Sequence, residues 1–309
     1  MSEPAPVLSL ASRPEFTWVR LKALTLNSVS SAHTRRSYER ALTQFYEWWR
    51  PVEHGPFSKK VVQEYHAELE RRCLSPSSIN VQLAALRKLA SEAADNGLLS
   101  PDVAAEIAKV PGVRFVGRKV GTCLTQEQAQ QLLLLPDPAT LKGKRDQAVL
   151  ALLLGCGLLR SELAALTIGH FEQRDGRSVI VDLVGKGKRV RSIPSPPWAK
   201  AAVDRWIGAA GITGGTVLRP VNKADQVSGT SMTAQSVFEI VERYSRLLGI
   251  RVVPHDLRRT FARLAHLGHA PLEQIQLSLG HASAQTTERY IGLEQNLVDA
   301  PCDRLGLRL

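Results

Sequence analysis

Cysteine is scarce and dispersed in this chain. There are four in 309 residues, Cys73, Cys123, Cys156 and Cys302, and no pair stands at metal-ligand spacing. A disulfide scaffold and a cysteine zinc site are thereby excluded, and reduced thiols in a cytoplasmic protein are expected. Long apolar runs are missing too. The longest, around Leu150–Leu154, is far too short to span a bilayer, so no membrane partner is expected. The N-terminus has no basic stretch followed by an apolar segment, and no signal peptide is expected. The eight histidines do not fall at the spacings of a ligand set, so no metal is expected. Internal repeats and low-complexity tracts are absent.

What the chain has in quantity is positive charge. Forty Lys and Arg against 29 Asp and Glu give a formal net charge of +11, and the pI is near 9.8. A polyanionic partner fits this balance, as does a basic protein with no nucleic-acid role. The excess is shared along the chain. Residues 1–119 carry 17 Lys and Arg against 12 Asp and Glu, and residues 120–309 carry 23 against 17. One basic tail would not give this distribution; two basic domains on one duplex would.

The length suits two domains. Residues 1–30 are weakly patterned and read as a partly mobile N-terminal segment. Residues 31–112 read as a helical bundle. A first helix starts near Thr34 with Tyr38, Leu42, Phe45 and Trp49 on one face, ended by Pro51 and Gly55. A second follows Ser58, with Val61, Val62, Tyr65 and Leu69 inward. A third opens at Ser75-Pro76, buries Ile79, Leu83, Leu86 and Ala90, and stops at Asn96-Gly97; a short helix follows Ser100-Pro101. Residues 113–121 read as the linker. Arg118 and Lys119 there either lie along phosphates or belong to a solvated connector.

The second domain, 122–309, opens on a capping box at Thr125 and Gln128. Helices are expected near 126–135, 144–154 and 158–166. The β-branched run Ser178–Val184 and the alternating run Arg189–Ile193 flank Gly185-Lys186-Gly187-Lys188, which predicts a β-hairpin with a lysine-bearing turn. Helices near 197–209, 233–248, 255–268, 271–279 and 284–292 complete the domain. The fold class is mainly α with a small β element.

Chemistry-bearing residues gather in the last third. His255-Asp256-Leu257-Arg258 places His255 and Arg258 three apart, on one helix face. Leu279-Gly280-His281 follows, and Tyr290 comes nine residues after His281. Upstream, Lys186 sits at the hairpin turn. Cutting a phosphodiester through a covalent intermediate needs a nucleophile, cationic donors on the non-bridging oxygens and an acid for the leaving oxygen. These residues supply each part. Singly, each is as well explained by a surface pair, a packed tyrosine or a solvated turn.

Together, in this order and spacing, they resemble the catalytic domain of the tyrosine recombinase (phage integrase) family, over roughly residues 120–295. The helical region 30–110 is similar, more loosely, to the family's SAM-like core-binding domain. The resemblance implies a C-shaped clamp around double-stranded DNA, four protomers assembling on it, and a monomer off DNA as an open alternative. It implies no cofactor, because bond energy stays in a phosphotyrosine. By resemblance Tyr290 is the nucleophile, Arg258 and His281 hold the scissile phosphate, and His255 positions it or assists proton transfer. Lys186 protonates the leaving 5′ oxygen, and Glu162 is the family's acidic residue. Arg35, Arg36, Lys59, Lys60, Arg87 and Lys88, with Arg118, Lys119 and Lys188, are the candidate DNA contacts of a cytoplasmic, nucleoid-associated protein. The segment from Leu293 to Leu309 either docks on a neighbouring protomer or packs on its own domain.

The pattern breaks at one place. The family's Gly-Leu-Arg-x-Ser-Glu-Leu here reads Gly157-Leu158-Leu159-Arg160-Ser161-Glu162-Leu163, with Leu159 in the arginine slot. Arg145-Asp146 upstream and Ser161-Glu162-Leu163 downstream fix that register. Arg160 is the candidate surrogate, although one helical step rotates a side chain by about 100°. A DNA-binding protein of the same fold with impaired catalysis is therefore an alternative. A type IB topoisomerase and a metal hydrolase are further readings, disfavoured by the domain layout and by the histidine spacings.

Overall fold

A computed structural model of the chain describes residues 14–49, 54–114, 122–185, 190–281 and 283–291, with the backbone alone at 14–17, 284, 289 and 290. The chain divides into two compact units, residues 1–118 and 119–309.

The first unit is helical: α1 (Pro14–Asn27), α2 (Ala32–Trp49), α3 (Lys59–Arg71), α4 (Pro76–Asp95) and α5 (Pro101–Ala108). Its core is aromatic. Phe45 of α2 is fully buried, with ring centroids 5.0 Å from Tyr65 and 5.6 Å from Trp49. Such pairs add about 0.5–1.5 kcal/mol each beyond burial. Ser75 caps α4, its hydroxyl accepting from the Ser78 N–H with Pro76 following. Helix α1 occupies part of the weakly patterned stretch 1–30. Trp18 and Leu21 are buried in this core, and the Trp18 ring stacks on Tyr46 at 4.7 Å. The pattern hid it because the third inward position is Thr25, a fully buried polar residue whose hydroxyl donates to the Leu21 carbonyl. At the unit's far end Asn80 acts as a peptide mimic. Its amide donates to the Val113 carbonyl at 3.0 Å and accepts from the Val113 N–H at 2.9 Å.

The second unit begins with α6 (Gln126–Leu134), α7 (Leu141–Cys156) and α8 (Arg160–Ala165). The Thr125–Gln128 capping box forms at the start of α6. Strands β1 (Phe171–Arg174), β2 (Arg177–Val184) and β3 (Val190–Pro194) make an antiparallel sheet in the order β1-β2-β3. Two strands were expected, and the sheet has three among the described residues. β1 escaped notice because it is a short edge strand reading Phe-Glu-Gln-Arg, with no apolar alternation. Then follow α9 (Pro197–Ala210), α10 (Ala234–Leu247), α11 (Pro254–Leu267), α12 (Leu272–Leu279) and α13 (Ala284–Ile291).

Helix α7 runs through the middle and is buried almost all round, packing on α9 and α11. It takes a buried charge with it. Asp146 is fully buried and accepts from Arg145 at 2.6 Å and from the Tyr244 hydroxyl at 3.0 Å. Burial, and then the Asp146 carboxylate, push the Tyr244 phenol well above its ordinary pKa. Cys73, Cys123 and Cys156 are free thiols. Among the described residues no helix is long and apolar enough to cross a membrane, and none form a metal-holding cluster of His, Cys, Asp or Glu.

Candidate active site

Two left-handed glycines shape the site. Gly157 ends α7 at φ 58°, and a Cβ there would stand 2.6 Å from the Phe261 ring. Leu159 is extended, and α8 starts only at Arg160. The expected helix over 158–166 therefore loses its first two residues: Leu158 is buried and Leu159 is the N-cap. Gly280 ends α12 at φ 66°. Its missing Cβ leaves room for the Arg191 stem, which a Cβ would approach to 3.0 Å.

Helix α11 supplies Arg258 between these two corners. Its first turn is capped by Asp256, whose carboxylate accepts the Val253 N–H at 3.0 Å. Arg258 is 4% exposed. It donates through Nη1 to the Gly157 carbonyl and through Nη2 to the Leu279 carbonyl. One guanidinium thus joins the Gly157–Leu159 turn to the corner that carries His281. His255, one turn earlier on α11, is exposed. The protein around it, then Arg259 and Arg258, lower its pKa against the pull of Asp256.

His281 is half-buried, and its Nδ1 lies 3.0 Å from the Thr287 hydroxyl on α13. Desolvation, Arg258, His255 and Arg191 together push its pKa down to about 4, so it is neutral at pH 7. Thr287 and Ile291 form the buried face of α13, and α13 packs on α11 and α12. Tyr290 lies on this helix, three residues after Thr287; its side chain is outside the described residues, as are Lys186 and Lys188 at the hairpin turn.

Glu162 is buried and accepts the Leu159 N–H at 2.9 Å. Its cation is Arg191 of β3, which binds both carboxylate oxygens at 2.8 Å. Arg160 goes elsewhere. It is exposed at the first position of α8, with its guanidinium 5.8 Å from the Phe238 ring centre on α10. It is not among the charges that depress His281. This placement does not favour the surrogate role considered for Arg160.

The expected phosphate contacts of the first unit divide. Arg35, Arg36 and Lys60 are exposed, and Lys59 is half-exposed. Arg35 also donates to the Val29 carbonyl at 3.2 Å. Lys88 pairs with Glu92 at 2.8 Å. Arg87 is half-buried and donates to the Val110 carbonyl at 2.5 Å, so it ties the end of the unit together rather than facing solvent. Arg118 and Lys119 lie outside the described residues.

Sequence reasoning missed Arg191 and Thr287. A signal for Arg191 existed: it shares a strand face with buried Ile193, so a charge was being turned inward.

Similarity to known proteins follows these features. Residues 122–296 match the phage integrase family, and residues 21–97 match the phage integrase N-terminal SAM-like domain. The tyrosine recombinase XerC of Thermodesulfovibrio yellowstonii is 28% identical over 280 residues, covering 87% of this chain and 89% of that protein. A tyrosine recombinase of Synechococcus elongatus is 31% identical, covering 94% of each. In fold the chain is similar to a lambda integrase dimer bound to a core site, with TM-score 0.71, 15% identity and coverage of 92% of this chain and 98% of that one. It is also similar to the XerH site-specific recombinase bound to its difH substrate, with TM-score 0.68, 18% identity and coverage of 96% and 97%. The chain belongs to the phage integrase family and is a tyrosine recombinase of two units, SAM-like and catalytic.

Proposed function

We propose that this chain is a site-specific recombinase that breaks and rejoins duplex DNA through a 3′-phosphotyrosyl link on Tyr290. The observation that carries it is the corner where Arg258 meets the Leu279–His281 segment while His281 is hydrogen-bonded to the helix of Tyr290. The Tyr290 oxygen attacks phosphorus, the bond to the 5′ oxygen breaks, and Lys186 gives that oxygen its proton. His255, neutral at pH 7, takes the phenol proton. Arg258 holds the non-bridging oxygens and His281 donates to them. Rejoining runs the same steps backwards with another strand's 5′ hydroxyl. Residues 31–112 and 122–309 both contribute to holding the duplex. Arg35, Arg36, Lys59 and Lys60 reach phosphates. Four protomers assemble on two duplexes, and the protein works in the cytoplasm; the segment 293–309, expected to dock on a neighbour or on its own domain, lies outside the described residues.

Leu159 favours a second reading, in which the chain binds DNA but cleaves it slowly. No guanidinium issues from the slot, and removing a phosphoryl-stabilising arginine typically lowers a rate by about 10³–10⁵. Both readings are tested on a selected DNA site carrying a nick beside the crossover point. The recombinase forms a covalent adduct that Tyr290→Phe abolishes. Tight binding without adduct, restored by Leu159→Arg, favours the impaired form; no adduct from either protein rejects the recombinase.

A further inference from the structure

Arg191 is engaged on three sides. Its Nη1 and Nη2 donate to the two oxygens of Glu162 at 2.8 Å, and its Nε donates to the Ser278 carbonyl at 3.0 Å. Its side chain is 10% exposed and that of Glu162 is 4% exposed, so this is not a solvated surface pair. Two parallel bonds fix the guanidinium plane, and the third fixes its rotation within that plane. Each contact reaches a different part of the site. Glu162 also accepts the Leu159 N–H at 2.9 Å, which holds the turn before α8. Ser278 immediately precedes Leu279, whose carbonyl takes Arg258. The Arg191 stem lies against Gly280, the residue before His281. Leu159 brings no cation to Glu162; the guanidinium there comes from the strand that leaves the Lys186 hairpin.

We propose that Arg191 is a positioning residue for DNA cleavage: it clasps the Leu159 turn, through Glu162, to the Ser278–His281 corner, and so fixes where Arg258 and His281 meet the scissile phosphate. This rests on the cleavage reading above. The clasp needs a planar fork. A lysine keeps the charge but is a point donor and cannot bridge two carboxylate oxygens and a carbonyl together. A glutamine loses the charge as well. Misplacing a catalytic group by about 1 Å lowers a rate by about 10²-fold, so Arg191 acts on the chemical step and leaves DNA affinity nearly untouched.

The test compares wild type, Arg191→Lys and Arg191→Gln as full chains. Adduct formation is followed at saturating nicked DNA, affinity is measured on the same DNA, and the His281 ring is titrated by proton NMR without DNA. The expected result is single-turnover cleavage about 10²-fold slower in Arg191→Gln, with the dissociation constant changed by less than about threefold. Arg191→Lys should be intermediate. The His281 midpoint should rise in Arg191→Gln, because one of the three charges depressing it is gone while Arg258 and His255 remain. If Arg191→Gln does not fold, Glu162→Gln opens the same clasp from its other end and is read by cleavage and affinity; its His281 midpoint should not rise, because Arg191 keeps its charge. Unchanged cleavage and an unchanged His281 midpoint in a folded variant would overturn the proposal. If wild type itself yields no adduct, the cleavage reading fails separately. The Arg191→Lys titration then decides the clasp: a His281 midpoint that moves although the charge is kept supports it, and one that stays at the wild-type value removes it.

Discussion

A histidine kept neutral beside arginines leaves a trace in the protein's stability. The His281 ring takes up its proton near pH 4 when folded, against an ordinary value of 6.5. Between those values the unfolded chain binds a proton that the folded chain refuses, so stability falls as pH drops through this window. His255 acts in the same direction. Carboxylates titrate nearby, so the contribution is isolated by comparison. The melting temperature of His281→Gln should fall less steeply than wild type between pH 6.5 and 4.5, in thermal scans at fixed ionic strength. Parallel curves would mean that His281 titrates normally. At this scale the sequence was partly legible. His255 and Arg258 stand out because they are three residues apart, and His281 because it closes a Leu-Gly-His run. Arg191 does not, because its partner Glu162 is 29 positions away and its other acceptor, Ser278, is 87 positions away. No single-chain pattern records such pairs.

Helix ends, rather than helix middles, build the site. Gly157 closes α7 in the left-handed region and hands the chain to Leu159, and its carbonyl accepts from Arg258. Gly157→Ala should therefore be expensive twice over. The left-handed backbone costs about 1–2 kcal/mol for a residue with a Cβ, and that Cβ would meet Phe261 at 2.6 Å. A loss of about 2–4 kcal/mol in urea unfolding is expected. A loss under about 0.5 kcal/mol would show that the turn relaxes freely. Gly97→Ala is the control, with φ 68° but nothing within 4 Å of the added Cβ, so it should show the backbone penalty alone. Elements were the most legible level. Ser75 and Thr125 announced α4 and α6 because capping is decided within four residues. α1 and β1 were missed for the opposite reason. A buried threonine in α1 and a charged edge strand in β1 are chosen by tertiary packing, not by local period.

Charge operates over the whole molecule. The net +11 is divided between the two halves of the chain, so both units should contribute to the salt dependence of DNA binding. The slope of log K against log salt is about −0.9 per phosphate neutralised. Arg36→Ala should flatten the slope by about 1 with little effect on melting. Arg87→Ala should leave the slope unchanged and lower the melting temperature, because Arg87 holds the Val110 carbonyl inside the first unit. Equal effects on the slope would put Arg87 on the DNA. A mainly helical class was readable from period alone. The identity of the phosphate-binding face was not, since each exposed lysine looks the same in sequence.

The central claim is a covalent bond between Tyr290 and a DNA 3′ phosphate. It is tested most directly by trapping the complex on nicked DNA, digesting both partners, and locating the remaining nucleotide by mass spectrometry. A single modified peptide containing Tyr290 is expected, with the nucleotide on Tyr290 through its 3′ phosphate. A nucleotide on any other residue, or one joined through a 5′ phosphate, would contradict it.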